Sequence, residues 1–488
     1  MAESNRIRDR LPAGSWAKAI VATILGLALL AGLMLRLSAH SPANPVGSPR
    51  TDTAIPPLTH RPNLVLIVTD DQRWDSLQSM PNVEHLLAAQ GLTFTNFFVT
   101  TSLCCPSRTS ILTGQYSRHT GVYGGSDPKH GDARAFHDSS TLATWLQDSG
   151  YETAMVGKYL NGYSFLPRGY VPPGWNEWDA VDQGKEFLYY DYTLNENGRL
   201  VKYGNQFRDY STSVLTTKAL AFLKSASGRS GPFFLYFAPI APHLPAIPAP
   251  EDRTFKAPPF VPSPSFDESN LSDKPWASEF PRMSAHEQLN VRYYRRRQLA
   301  SLVAVDRSVA RVISTLAARD QLANTVILFT SDNGFLWGEH RLLGKVWPYE
   351  ESIRVPLVVR APWMKAPGQT DSHLALNIDL APTLAQLAGV EPKLAEDGRS
   401  LVPLLLGTDP AWRTSFLVEY LGRWEPGLPH PFEAIRTERY LYVEYRNRTW
   451  RELYDLRTDP HELHNRSGDP QYASVEAEMA RQLRRLLA

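Results

Sequence analysis

Cysteine is nearly missing from this 488-residue chain, which has two, Cys104 and Cys105, side by side. Adjacent cysteines rarely form a structural bridge, because the disulfide geometry strains the peptide between them. A disulfide framework is therefore excluded in any compartment. Net charge is nearly missing too, since 51 Lys and Arg against 50 Asp and Glu leave +1. That balance excludes a protein that captures polyanions by bulk charge, and with it a nucleic-acid partner, while leaving room for a local basic pocket. There is no internal repeat.

What is present is an ordinary globular composition, 43% hydrophobic with 38 prolines, enough for a large core crossed by irregular connections. The first 18 residues are a basic segment with Arg6, Arg8, Arg10 and Lys18. An uninterrupted apolar run follows over 19–35. It is slightly short for a spanning helix, which takes about 20 residues, and slightly long for a signal-peptide core of about 7–15. A signal anchor and a cleaved signal both remain open, with the anchor favoured. The basic flank points to an N-in orientation and an extracytoplasmic chain. Residues 36–61 read as a linker rich in turn formers, with a catalytic domain over 62–400 and a C-terminal subdomain over 401–488.

From Pro62 onward, short apolar runs of β type alternate with helical patterns. The expected fold class is therefore α/β, a mixed sheet with helices on both faces. Four runs share a property. Asn63–Val68 is followed by Asp70 and Asp71, Thr153–Val156 by Gly157 and Lys158, Pro232–Phe237 by Ala241-Pro242-His243, and Thr325–Phe329 by Asp332, Asn333 and Gly334. In open α/β sheets, ligand sites form at the carboxyl ends of strands, so four such endings predict one site.

Residues 285–322 have the apolar spacing of a long helix, with Arg292 and Arg295 to Arg297 expected on its solvated face. The proline-dense stretch 239–281 is too long for a simple connection and follows His243, so it is expected near a pocket rim. Beyond Leu401, strands over 415–420, 434–436, 440–445 and 452–455 and a closing helix over 474–487 predict a small antiparallel α+β unit.

Asp70 and Asp71 would be a costly charge pair unless a cation neutralised them. Asp332 and Asn333 supply further oxygen donors in the same strand-end setting, and an all-oxygen set suits Ca²⁺ before Mg²⁺, and not zinc. Pro106 suits the first turn of a helix. Position 104 would then lie at a helix N-terminus, where backbone N–H groups favour an anion, with Arg108 one turn on.

Cys104-Cys105-Pro106-Ser107-Arg108, continuing to Leu112-Thr113-Gly114, matches the sulfatase signature C-x-P-S-R-x-x-x-L-T-G without a mismatch. The chain thus resembles the formylglycine-dependent sulfatases, and the resemblance extends over about residues 62–465. It implies the alkaline-phosphatase-like fold and hydrolysis of a sulfate ester. It also implies that a formylglycine-generating enzyme oxidises Cys104 to the nucleophile. A hydrated aldehyde carries two hydroxyls: a bound metal activates one to attack sulfur, and the other collapses to expel sulfate. The metal set carried over is Asp70, Asp71, Cys104, Asp332 and Asn333. Lys158 is expected to bridge formylglycine and sulfate, Lys345 to hold a sulfate oxygen, and His243 to protonate the leaving alkoxide.

Many sulfatases read G-K-x-H, where this chain has Gly157-Lys158-Tyr159-Leu160-Asn161. The histidine credited with triggering sulfate elimination is replaced by Leu160, leaving Asn161, His119, a lysine or water as stand-ins. The same five residues resemble the N-acetylglucosamine-6-sulfatase and extracellular endosulfatase branch, as do Pro173-Gly174-Trp175 and Tyr192-Thr193-Leu194-Asn195. That implies a sulfated amino sugar as substrate. The alternatives are an arylsulfatase, a phosphonate or phosphate ester hydrolase of the same superfamily, and a membrane-tethered binder of sulfated glycans with unconverted Cys104.

Overall fold

The run Asn63–Thr69 is buried at every position, which a β-branched and leucine-rich segment achieves only in the middle of a sheet covered on both faces. In a computed structural model that describes residues 61–488, apart from 126–128, 183–187, 365–366 and 409, this run is the central strand β1. The basic segment, the apolar run over 19–35 and the linker up to residue 60 lie outside the described residues. Among the described residues, no helix is long and apolar enough to cross a membrane.

Nine further strands complete the main sheet: β2 (Leu92–Phe94), β3 (Glu152–Gly157), β4 (Glu177–Asp182), β5 (Thr193–Glu196), β6 (Arg199–Lys202), β7 (Phe233–Ala238), β8 (Thr325–Ser331), β9 (Leu357–Arg360) and β10 (Gln369–Asp371). Their order is β10-β2-β9-β8-β1-β7-β3-β4-β5-β6. The five strands β8-β1-β7-β3-β4 run parallel, while β9 on one side and the β5–β6 hairpin on the other turn back. The parallel register sets Thr69 beside Ser331 and Gly157 beside Ala238. The carboxyl ends of β1, β3, β7 and β8 thus finish at one level. The four strands read from sequence are the ones that carry the predicted endings.

Helices α1 (Cys104–Thr113), α2 (Leu142–Asp148), α3 (Ser211–Ala226), α4 (Ala285–Ala317) and α5 (Leu380–Ala388) accompany the sheet. Leu215 and Leu223 of α3 and Leu302 and Val309 of α4 share one buried cluster with Val65, Ile67, Leu235 and Phe237. Each such side chain taken from water contributes about 1.5–3 kcal/mol, and this layer holds the strand ends rigid. The long helix stops at Ala317, short of Leu322, because Asp320 takes a left-handed backbone (φ 54°) and Leu322–Asn324 form a separate 3-10 turn. Arg295 departs from the expected solvated face. It is buried, its Nη1 donates to the Pro258 carbonyl at 2.9 Å, and its guanidinium lies over the Trp337 and Phe260 rings.

Past residue 400, β11 (Ser415–Tyr420), β12 (Phe432–Thr437), β13 (Tyr440–Tyr445) and β14 (Arg451–Asp455) form an antiparallel meander. Helix α6 (Ala473–Leu487) covers it, Met479 and Leu483 packing on Leu417, Ile435, Tyr442 and Leu453. The unit joins the main domain through polar contacts such as Trp276 Nε1 to Glu452 Oε1 at 2.9 Å and Arg118 Nε to Glu419 Oε2 at 2.8 Å.

Candidate active site

Backbone hydrogen bonds lock the strand ends to one another. The Asp332 N–H donates to the Thr69 carbonyl at 3.1 Å, the Lys158 N–H to the Ala238 carbonyl at 2.8 Å, and the Asp70 N–H to the Ala241 carbonyl at 3.3 Å. Gly157 makes the second of these possible. Its φ is +126°, and a Cβ there would stand 1.9 Å from the Ala238 carbonyl oxygen. Asp71 also holds a left-handed backbone, at φ 69°, turning its carboxylate toward the next strand.

The carboxylates meet in a buried centre. The Asp71 N–H donates to Asp332 Oδ1 at 3.2 Å, and Asn333 Nδ2 donates to Asp71 Oδ1 at 2.7 Å. Ser331 Oγ steadies this turn by donating to the Asn333 carbonyl at 2.9 Å. One donor atom each from Asp70, Asp71, Cys104 and His243 lies within 4.8 Å of the others. Asp70 Oδ1 and Asn333 Oδ1 are buried without a hydrogen-bond partner. Bare oxygens beside three buried carboxylates fit a hard cation, because leaving them unmatched costs free energy that coordination recovers.

Cys104 is the first residue of α1, and every residue of that helix is buried. Lys345 Nζ lies 2.9 Å from its Sγ and contacts Asp71 Oδ1. Lys158 Nζ donates to Asp70 Oδ2 at 2.5 Å. Arg108 donates through Nε to Asp332 Oδ2 at 2.7 Å and through Nη1 to the Lys158 carbonyl at 2.8 Å. A cation surrounded by acids and acids surrounded by cations shape the titration. Burial alone would raise Asp70, yet Lys158, His243, Arg108 and Lys345 outweigh it and hold that carboxyl well below the usual range. Burial dominates at Asp71 and Asp332 and raises both. Burial opposes the charge on Lys158 and Lys345, but the carboxylates prevail and keep both ammonium groups protonated.

His243 sits in the turn after β7, with Nε2 3.6 Å from Asp71 Oδ2. Nδ1 lies 2.6 Å from the Leu244 carbonyl, so Nδ1 carries the hydrogen and Nε2 of the neutral ring is an acceptor. Burial first, then Lys345 and Lys158, push the ring down to about 3 against the pull of Asp70. The Cys105 thiol is raised well above its usual range by burial and by Asp132, leaving it inert beside Cys104.

The sulfatase domain matches residues 62–390, and the C-terminal domain of N-sulphoglucosamine sulphohydrolase matches residues 338–488. The N-acetylglucosamine-6-sulfatase of Homo sapiens is 33% identical over 452 residues, covering 83% of this chain and 81% of that protein. The chain belongs to the sulfatase family. It has the alkaline-phosphatase-like fold of that family. An extracellular sulfatase homologue of Drosophila melanogaster is 36% identical over 402 residues, which is 79% of this chain but 35% of that longer protein. This sulfatase therefore spans about a third of that relative's length. A structure solved with its substrate D-glucosamine-2-N,6-O-disulfate superposes with a TM-score of 0.72 at 26% identity, covering 87% of this chain and 97% of that one.

All the residues singled out from sequence, Asp70, Asp71, Cys104, Arg108, Lys158, His243, Asp332, Asn333 and Lys345, fall in this one contact network. Asn161 and His119, two of the stand-ins for the missing elimination histidine, do not. Leu160 is fully buried. Asn161 presents its backbone carbonyl to Cys105 Sγ at 3.9 Å. His119 is half exposed and bonded through Nδ1 to Asp397 Oδ2 at 2.7 Å. Among the described residues, no hydrogen bond joins Asn161 or His119 to Cys104. Tyr189 was not legible as part of the site, although its hydroxyl donates to the His243 carbonyl at 2.8 Å. Nothing in its aromatic surroundings in sequence distinguishes it from a core tyrosine.

Proposed function

We propose that this sulfatase works through formylglycine made from Cys104, on a 6-O-sulfated amino sugar. The observation that carries the reading is the position of Cys104. It stands at the first residue of a buried helix, beside Lys345 and inside the carboxylate cluster. Its Sγ marks where the oxygen of formylglycine would lie.

Asp70, Asp71, Asp332 and Asn333, with the group at 104, would hold Ca²⁺. The ion supplies charge that lowers the pKa of a formylglycine hydroxyl and neutralises the carboxylates. The chain's own residues do the rest. Lys345 and Lys158 hold the anionic substrate against the nucleophile, offering donors already fixed in place before the charge moves. Arg108 ties Asp332 to the strand carrying Lys158 and so keeps the metal and sulfate sides in register. His243 Nε2, a bare acceptor 3.6 Å from Asp71 Oδ2, faces the carboxylate cluster. An unprotonated Nε2 accepts the hydroxyl proton and, once loaded, delivers it to the departing alkoxide. Having given its proton to the alkoxide, the ring is neutral again and can accept the remaining hydroxyl proton as sulfate leaves, the task of the histidine that Leu160 replaces.

The amino-sugar assignment rests on the Gly157–Asn161 sequence and on the names of the relatives above. Relatives described as extracellular, together with the apolar run over 19–35, support an extracytoplasmic catalytic domain. A formylglycine-generating enzyme would act on it, and a membrane would be reached only through that run. Hydrolysis of N-acetylglucosamine 6-sulfate, measured beside the 6-phosphate of the same sugar and an aryl sulfate, tests the reading. Preference for the sugar sulfate is expected; preference for the phosphate ester would replace it with the phosphonate and phosphate hydrolase alternative.

A further inference from the structure

Away from Cys104, three buried residues from three segments converge. A ring nitrogen of His340 and one carboxylate oxygen each of Glu351 and Glu462 lie within 4.8 Å of one another. His340 lies in the turn of the short hairpin Leu336–Trp337/Leu343–Gly344 beyond β8, Glu351 belongs to the short helix Glu350–Ile353, and Glu462 lies in the loop after β14. They are 0%, 6% and 1% exposed, so solvent does not satisfy them.

One polar atom on each residue has no hydrogen-bond partner: His340 Nε2, Glu351 Oε2 and Glu462 Oε1. The other ring nitrogen, Nδ1, lies 2.6 Å from Glu268 Oε2. That carboxylate accepts the Nδ1 hydrogen and leaves a bare lone pair on Nε2. An outer carboxylate that fixes the tautomer is the usual companion of a metal-bound imidazole. The neighbouring cations are engaged elsewhere. Arg436 Nε pairs with Glu350 Oε1 at 2.8 Å, Arg73 Nη1 with Glu339 Oε1 at 2.6 Å, and Lys274 Nζ with Glu268 Oε1 at 3.1 Å. One bare oxygen on each of two buried carboxylates and a bare imidazole nitrogen are costly unless a cation joins them.

We propose that His340, Glu351 and Glu462 form a second, structural site for a borderline divalent cation of the Zn²⁺ class, fastening the C-terminal unit to the main domain. One imidazole and two carboxylates differ from the all-oxygen set around Asp70. Ligand softness therefore sorts the two ions, Ca²⁺ to the first site and the borderline cation to this one. With Zn–N and Zn–O bonds of about 2.0–2.2 Å, small side-chain rotations close the triangle, and water completes the coordination. Glu462 reaches the site from the loop behind the meander, its own N–H bonded to the Asp459 carbonyl at 3.1 Å and its Oε2 accepting from the Glu350 N–H at 3.3 Å. The inference does not depend on the substrate or on conversion of Cys104.

Elemental analysis of the full chain, purified with Ca²⁺ present and no chelator, tests it. The expected result is about one equivalent of Zn²⁺ per chain in addition to Ca²⁺. Glu462→Gln and His340→Gln should each lose the Zn²⁺ equivalent and keep the Ca²⁺ equivalent. Added Zn²⁺ should raise the Tm of the zinc-stripped parent by several degrees and leave both variants unmoved. Should either variant fail to fold, Co²⁺ added to the stripped parent gives a second reading, a visible absorption band that Zn²⁺ displaces. Protein that carries Ca²⁺ alone, gives no Co²⁺ band and has a Tm indifferent to Zn²⁺ would overturn the proposal and leave the cluster as protonated acids. A second equivalent that proves to be Ca²⁺ would overturn the choice of ion.

Discussion

Lys345 Nζ touches both parts of the site at once, 2.9 Å from Cys104 Sγ and in contact with Asp71 Oδ1. In the proposed mechanism a side chain in that position would serve the nucleophile, the metal-binding carboxylates and the incoming sulfate together. Lys345→Ala should therefore lower kcat by about 10²–10³, the usual loss for one preorganised donor, with a smaller change in KM. Steady-state kinetics on a chromogenic sulfate ester checks this. A rise in KM with kcat intact would make Lys345 a binding group only.

Gly157 allows β3 to deliver Lys158. A methyl group at 157 would collide with the Ala238 carbonyl on β7, and the φ of +126° is one that L side chains rarely adopt. Gly157→Ala should lower the Tm and abolish activity together, whereas a variant with unchanged Tm and activity would show that the strand end yields at no cost.

His119 is assigned no catalytic role. The hydrogen bond to Asp397 raises its pKa above 6.5 against the opposing effect of burial. The protonated form is thus favoured in the folded state, so the pair stabilises fully below about pH 6.5 and loses this as pH rises through the raised value. The group is half exposed, so the contribution is below about 1 kcal/mol. His119→Gln should flatten the pH dependence of Tm near neutrality and keep activity within about twofold, as expected of an exposed pair. A large loss of kcat would restore His119 as the elimination base.

The sequence made the catalytic constellation readable because it lies at strand ends, where a short apolar run and the polar residues after it are contiguous. Asp70, Lys158, His243 and Asp332 all have that form. The C-terminal meander was readable for a similar reason, its strands being separated by clear turn residues. The β4–β6 edge, β2, β9 and β10 were not, since Glu177–Asp182 alternates weakly and Leu92–Phe94 and Gln369–Asp371 are three residues each. Arg295 was placed on the solvated face because helical spacing cannot show that Phe260 and Trp337 from distant segments cover it. His340, Glu351 and Glu462 escaped for the same reason. Their convergence is purely tertiary.

Without a cation, Asp70, Asp71 and Asp332 rely on Lys158, Lys345 and Arg108 alone, and Asp70 Oδ1 and Asn333 Oδ1 stay unmatched. Chelation is expected to abolish activity. Ca²⁺ should restore it more fully than Mg²⁺, since a site built from several carboxylate and amide oxygens suits the larger ion that sheds its water more readily. Equal restoration by Zn²⁺ would contradict the hard-cation assignment.

Peptide mass spectrometry of the Cys104 peptide, from active protein made in its native host, addresses the central claim most directly. The account predicts the mass of formylglycine or its hydrate at position 104, an unmodified thiol at Cys105, and neither aldehyde nor activity in Cys104→Ala. Active enzyme with an unmodified cysteine at 104 would contradict it.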